Sequence, residues 1–120
     1  MKKIFVSVPM HGRKLDEINA DIRKAVDAFI NWNDEHDTYT EDVEFVDTLA
    51  QDGPDVEVKN ERIWYLGKAI QKLADCDGII FCEGATYAHG CQVEYEVASL
   101  YAMKMFTIHD GNINQHNPLD

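Results

Sequence analysis

The sequence predicts a single α/β domain with a mainly parallel β-sheet of four to five strands. Short, largely apolar runs, such as residues 4–8 (IFVSV) and 78–82 (GIIFC), alternate along the chain with longer segments of helical spacing. Because these runs lack the apolar–polar alternation of a half-solvated strand, we expect helices to cover the sheet on both faces. A length of 120 residues and a hydrophobic content of 45% suit one domain with its own core.

The first half of the chain predicts a strand, a helix and a second strand. Residues 4–8 predict a central first strand, which Pro9 ends. Apolar side chains keep helical spacing from Leu15 to Ile30, and we expect this helix to end in the polar stretch 31–42. Residues 43–46 (VEFV) predict the second strand. The loop that follows, residues 47–60, has the length of an active-site lid.

The second half repeats this alternation. Residues 63–73 predict a second helix and residues 78–82 a strand that is buried on both faces. A third helix should begin near Gly90, with its core-facing side formed by Val93, Val97, Leu100 and Tyr101. We expect residues 105–108 to close the sheet and the polar tail, 110–120, to be irregular.

The charge of the chain excludes several classes of partner. With 22 acidic and 11 basic residues the formal net charge is −11, which argues against binding to nucleic-acid polymers or anionic membranes. No apolar run reaches membrane-spanning length. The three cysteines include no CxxC pair, so we expect a reduced, cytoplasmic protein. A small anionic ligand is still compatible with this charge, because a local arginine and helix N-termini can hold it.

Glu94 is the strongest candidate for chemistry. It lies near the start of the third predicted helix, at the mouth of the loop after a buried strand, where open α/β sheets bind ligands. Glu96 points about 200° away from Glu94 and towards solvent. A carboxylate held ionised by the helix dipole suits a nucleophile better than an acid. The alternative interpretation is that an acidic residue is simply favourable in a first helical turn.

Two loops are candidates for holding a ligand. Gly84, Ala88 and Gly90 carry side chains small enough to let a ligand approach the backbone. Pro9, Met10, His11, Gly12 and Arg13 form the turn between the first strand and the first helix. Backbone N–H groups and the Arg13 guanidinium suggest a phosphate site in this turn. The alternative is an exposed turn with a solvated arginine.

No metal or cofactor site is expected. Cys82, His89 and Cys91 lack the paired spacing of a zinc site, and neither a phosphate-binding P-loop nor a dinucleotide motif is present. Asp77, in a Cys-Asp-Gly corner, is by its residue type a turn residue.

Three segments together resemble the nucleoside 2-deoxyribosyltransferase superfamily, in its small phage and bacterial branch: IFVSVPMHGR, CDGIIF and GCQVEYEVA. The most specific feature is the Gly-x-x-x-Glu-x-x-x-Ala pattern, met by Gly90, Glu94 and Ala98. The resemblance implies a flavodoxin-like (Rossmann-like) three-layer fold and cleavage of an N-glycosidic bond in a nucleoside or 5′-nucleotide. It also implies that Glu94 is the nucleophile, that Asp77 contacts the base or handles a proton, and that Gly12-Arg13 holds a 5′-phosphate.

Two further expectations concern activity and assembly. Transferases of this superfamily carry an aspartate two residues before the glycine of the pattern, where this chain has Ala88. This difference favours the alternative hypothesis of a non-catalytic nucleotide-binding or sensing domain. The third helix also carries Tyr95, Leu100, Tyr101 and Met103, which spread around more of its circumference than one sheet covers, so we expect a homodimer or higher homo-oligomer.

Overall fold

The computed structural model of the protein describes residues 1–49 and 52–116. These residues form five strands and three α-helices. The strands are Lys2–Ser7 (β1), Val43–Val46 (β2), Gly78–Phe81 (β3), Lys104–His109 (β4) and Asn112–His116 (β5). The helices are Leu15–His36 (α1), Glu61–Leu73 (α2) and His89–Leu100 (α3), with a single 3-10 turn at Ala85–Tyr87.

The five strands form one mixed sheet in the order β2-β1-β3-β4-β5, in which β1 is an inner strand between β2 and β3. β2, β1, β3 and β4 are parallel to one another, whereas β5 is antiparallel to β4. The prediction of a mainly parallel sheet is therefore corrected. Asp110 and Gly111 both have positive φ, at 50° and 78°, so they form the tight turn of a β-hairpin, and such a turn can join only antiparallel strands.

The same hairpin corrects the prediction of an irregular tail over residues 110–120. Residues 112–116 form β5 and pair along their whole length with β4. The rest of the predicted tail, 117–120, lies outside the described residues, as do positions 50 and 51 of the predicted lid.

The helices cover the sheet on both faces. On one face α1 packs through Ile18, Ala25 and Phe29 against the even-numbered side chains of β1, β3 and β4. On the other face α2 packs through Ala69 and Leu73, and α3 through Cys91 and Ala98, against the odd-numbered ones. The alternation of a β-strand thus divides the apolar runs between two cores, as their continuous hydrophobicity predicts.

Helix α1 ends within the polar stretch 31–42, as the sequence predicts. It continues beyond Ile30 to His36 and ends where Asp37 takes a left-handed conformation. Trp32 accounts for the extension, because its ring packs edge-on against Phe106 and stacks on His36, with ring centroids 5.0 and 4.5 Å apart respectively. One aromatic side chain on the sheet therefore extends the helix through a stretch that is otherwise polar.

A crevice opens where the connections after β1 and β3 diverge. The chain after β1 leads to α1 on one face of the sheet, and the chain after β3 leads to α3 on the other. Ser7, the last residue of β1, lies beside Phe81, the last residue of β3. Parallel sheets bind ligands outside the carboxyl ends of two such strands.

The described part of the chain contains no helix that is both long and apolar enough to cross a membrane. Cys82 and Cys91 are buried and Cys76 is partly buried, each as a free thiol.

Gly78 leaves no room for a side chain between β1 and β4. A Cβ atom there would lie 3.1 Å from Ile4 Cδ1 and 3.1 Å from the carbonyl oxygen of Lys104. We therefore expect Gly78→Ala to lower the free energy of unfolding by about 1–3 kcal/mol in urea denaturation. Gly67→Ala is the matched control: a Cβ in this helix meets nothing within 4 Å, so the variant should be as stable as the wild type or up to about 1 kcal/mol more stable. Equal stability of the two variants would contradict this packing.

Candidate functional site

A cleft of about 600 Å³ lies on the α2/α3 side of the sheet, at the carboxyl end of β1. Its floor is the end of β1, and its walls come from the turn after β1, from Thr48 and Leu49 after β2, and from the first halves of α2 and α3. Its polar lining side chains are Ser7, His11, Thr48, Asn60, Arg62, Tyr65, His89 and Glu94. Glu94 is the single carboxylate among the described residues that line it.

Glu94 and Ser7 form a buried pair at the floor of this cleft. The hydroxyl of Ser7 donates a hydrogen bond of 2.7 Å to Oε1 of Glu94. Glu94 is 6% exposed and Ser7 1% exposed, and these are the two buried polar residues of the described chain. A carboxyl group seldom occupies such a place, because removing its charge from water is costly unless strong partners compensate.

The packing of α3 explains why Glu94 is buried. The helix turns Cys91, Glu94 and Ala98 towards the sheet. The predicted core face was wrong in three of its four members, since Val93, Leu100 and Tyr101 are exposed and Val97 is partly buried. Small residues at positions 91 and 98 let the helix approach the sheet closely, so the residue between them is carried inward. Glu96 is exposed, as expected.

Burial raises the pKa of Glu94 to about 7, although the hydrogen bond from Ser7 acts in the opposite direction. The expectation of a carboxylate held ionised by the helix dipole is therefore corrected. α3 begins at His89, so Glu94 lies beyond the first turn, where the dipole is effective. Near neutral pH both protonation states of Glu94 are populated, and the group can act as an acid, a base or a nucleophile.

Some residues of the turn after β1 line the cleft, whereas Arg13 contacts α1. Met10 and His11 line the cleft. Gly12 has φ of +73° and serves the bend of the backbone. The Arg13 guanidinium, proposed above as a phosphate ligand, instead contacts Asp21 Oδ2 at 2.6 Å and the carbonyl oxygen of Pro9 at 2.9 Å. It is not among the cleft-lining residues, and its partners tie the turn to α1.

In the loop after β3, likewise, only some of the candidate residues line the cleft. Gly90 lines the cleft, and a Cβ there would meet only Leu66, at 4.0 Å, so this side of the cleft is open. Gly84 has φ of +82° and begins the 3-10 turn, so the backbone conformation alone accounts for a glycine at this position. Ala88 precedes α3 and packs against the core of that face.

The structure does not bring Asp77 to Glu94. Asp77 precedes β3, at the amino end of the parallel strands, where its carboxylate accepts a hydrogen bond of 2.8 Å from the backbone N–H of Lys3. Glu94 contacts Ser7, four residues further along the same strand, which corresponds to a separation of about 13 Å. A shared step of catalysis needs hydrogen-bond distances, so within one chain the site is built without Asp77.

Sequence reasoning missed Ser7, Arg62 and His89 as parts of the site. Ser7 had a visible signal, because it is the one polar residue in the buried run of residues 4–8. Arg62 lies in the first turn of α2, whose N-terminus is capped by the Asn60 side chain at 3.1 Å from the Ile63 N–H. No local pattern marks Arg62 or His89, because only the tertiary packing of α2 beside α3 places them on one cleft.

Among the described residues one group has the spacing of metal ligands: Glu83, His109 and Asp110. All three side chains are exposed, and none of them lines the cleft.

The raised pKa of Glu94 makes stability depend on pH. The carboxyl titrates near 4.5 when unperturbed and at about 7 in the folded chain, so between these pH values the folded state holds a proton that the unfolded state has lost. Its contribution to stability is therefore full below pH 4.5 and falls as pH rises through 7, by about 3 kcal/mol in total. Glu94→Gln should gain stability relative to wild type over this interval, as measured by urea denaturation at pH 4.5 and 8.5.

Glu96→Gln, on the solvent side of the same helix, is the control and should match the wild type in stability at both pH values. A difference between Glu94→Gln and wild type that does not change with pH would show that Glu94 titrates normally.

No protein-family model matches this chain, and neither a curated protein nor a solved structure matches it. The resemblance carried by Gly90, Glu94 and Ala98 therefore stays a prediction. Function has to be argued from the chemistry of the cleft itself.

Proposed function

We propose that the protein cleaves the N-glycosidic bond of a nucleoside or 5′-nucleotide, by hydrolysis or by transfer to a second base, with Glu94 as the nucleophile. The observation that carries the proposal is the buried Glu94–Ser7 pair at the floor of the cleft. An isolated carboxylate in a cleft, away from bulk water, is suited to attack the anomeric carbon of a sugar as the base departs. The reaction needs no cofactor.

In the first half-reaction a carboxylate oxygen of Glu94 bonds to C1′ while the C1′–N bond breaks. The electron pair of that bond leaves with the base nitrogen, which takes up a proton. In the second half-reaction water, or the nitrogen of an acceptor base, bonds to C1′ and loses a proton as the ester bond to Glu94 breaks. Both steps pass through an oxocarbenium-like transition state, which a neighbouring negative charge stabilises.

In this proposal the sheet that carries the site is flavodoxin-like. The strand order β2-β1-β3-β4-β5 supports it, because this order places a ligand crevice between β1 and β3. The antiparallel β5 is an addition at the far edge of the sheet, remote from that crevice.

Cationic and polar groups at the rim of the cleft favour a substrate that carries a phosphate. Arg62, His11 and His89 line the cleft of a protein whose net charge is −11. Among the described residues that line this cleft, Glu94 is the one carboxylate. Arg62 is therefore better placed than Arg13 to meet a 5′-phosphate.

The main alternative is a non-catalytic nucleotide-binding or sensing domain. Glycoside hydrolysis usually uses a pair of carboxyl groups, and the described lining of the cleft supplies one. Ala88 stands where related transferases carry an aspartate, and Asp77 lies at the other end of the strands. In the catalytic proposal, protonation of the leaving base falls to His11, His89 or solvent. A protein that binds nucleotides without releasing base would establish the alternative.

Incubation with deoxynucleosides, ribonucleosides or their 5′-monophosphates, with and without an acceptor base, should release free base. Chromatography measures the released base. Glu94→Gln should lower kcat by at least about 10³-fold, because the amide cannot form the ester. Glu96→Gln, two positions away and exposed, should stay close to wild type. Equal losses in the two variants would contradict the assignment of Glu94.

We further propose that two copies of the chain associate through α3. This helix leaves Val93, Tyr95, Leu100 and Tyr101 exposed, with Leu100 71% and Tyr101 78% accessible to solvent. Large apolar side chains clustered on one helix are typical of an interface.

Light scattering at micromolar concentration should give twice the 13.7 kDa mass of one chain. Leu100→Glu should shift the mass towards that of one chain, because it buries a charge in the proposed interface. Leu15→Glu is the matched control, since Leu15 is an exposed leucine at the start of another helix. A wild-type protein of 13.7 kDa would refute the association.

A further inference from the structure

We propose that Ser7 is the positioning residue of the site: its hydroxyl holds Oε1 of Glu94, so that Oε2 is the oxygen that attacks C1′. This inference rests on the proposed function, in which Glu94 is the nucleophile. It assigns a role to the one polar residue in the buried run of residues 4–8.

The pairing of β1 with β3 fixes the backbone of Ser7. Ser7 is the last residue of the inner strand β1 and pairs with Phe81 of β3. Its carbonyl oxygen accepts a hydrogen bond of 2.9 Å from the N–H of Cys82, so the strand pairing continues past its position. With the backbone held by β3 and 1% of the residue exposed, rotation about one side-chain bond is the freedom that remains to the hydroxyl.

The two oxygens of Glu94 have different surroundings. Oε1 accepts the 2.7 Å hydrogen bond from Ser7, and the hydrogen bonds of the described residues include none to Oε2. A glutamate on a helix has three side-chain torsions, and a single fixed donor at one oxygen removes most of that freedom. Attack at C1′ requires an oxygen held within about 3–3.5 Å of the carbon, and holding it there in advance contributes to the rate.

Ser7 also influences the ionisation of Glu94. A hydroxyl that donates to the charged form favours the carboxylate and offsets part of the burial that raises the Glu94 pKa. The other ionisable groups that line this cleft are Cys91, one turn earlier on α3, and His11, Arg62, Tyr65 and His89. Burial raises the pKa of the Cys91 thiol to about 11, so this neighbour is uncharged at neutral pH.

The hydroxyl exchanges no proton in either half-reaction. As the C1′–Oε2 bond forms, negative charge leaves the carboxylate and the Ser7 hydrogen bond weakens. When water or the acceptor base displaces Glu94, the charge returns and the hydrogen bond is restored. Ser7 therefore acts through Glu94 and does not touch the substrate.

Ser7→Ala tests this role with two readouts, the pH profile of kcat/KM and the carbon-13 NMR titration of the Glu94 side-chain carboxyl. We expect the midpoint of both to rise by about one pH unit, because the donor to the charged form is lost. We also expect kcat to fall at least about tenfold at saturating pH, with KM nearly unchanged. Ser7→Thr, which keeps the hydroxyl, should restore the midpoint, and Ser99→Ala, on α3 but outside the cleft, should leave both readouts at wild-type values.

The outcomes separate this inference from the proposed function. If Ser7→Ala leaves the NMR midpoint and kcat at wild-type values, Ser7 does not position Glu94. If the midpoint rises but kcat is unchanged, Ser7 tunes ionisation alone and the positioning role is overturned. If wild type releases no base, the proposed function fails, and the NMR midpoint still decides whether the Ser7 hydroxyl holds Glu94.

Discussion

The site depends on one energetic constraint, which is the burial of a carboxyl group between the end of β1 and the inner side of α3. Desolvation of that group is unfavourable to its charged form and raises its pKa to about 7. The single Ser7 hydroxyl compensates only in part. A fold that only needed a stable core would place an apolar side chain here, so the arrangement supports the proposal that Glu94 has a functional role.

The rest of the architecture brings that group to a cleft. Cys91 and Ala98 let α3 lie close to the sheet, which carries Glu94 inward and leaves the large apolar residues of the helix on the outside. The same packing therefore produces both the buried carboxyl and the exposed apolar surface. The divergence of the connections after β1 and β3 opens the crevice above Ser7, and the N-terminal half of α2 supplies its second wall.

The sequence predicted those features that depend on local pattern. The largely apolar runs at 4–8 and 78–82 located two of the buried strands, and helical spacing located the three helices. The Asp110-Gly111 pair carried the signal of a β-hairpin but was interpreted as part of an irregular tail, so β5 was missed. Helix α1 ends at His36, within the predicted stretch, but no local pattern indicates that Trp32 packs on the sheet.

The site was less predictable than the fold, since it depends on which residues tertiary packing brings together. Position on a helix identified Glu94, yet hydrophobic spacing placed the wrong face of that helix against the core. Arg13 was a candidate by its residue type and Asp77 by the resemblance, but each is engaged elsewhere, by Asp21 and by the backbone of Lys3 respectively. Pairing partners of this kind are set by strand register and helix packing, which only the three-dimensional structure gives.

The central claim is that Glu94 becomes covalently bonded to the sugar. The most direct test is to quench the reaction within the first turnover, using a substrate whose sugar carries an electron-withdrawing 2′-fluorine to slow the second step, and to measure the mass of the chain. The account predicts an increase equal to the mass of the glycosyl group, located on the peptide that contains Glu94 and absent from Glu94→Gln. Release of base with no covalent adduct, or with an adduct on another residue, would contradict it.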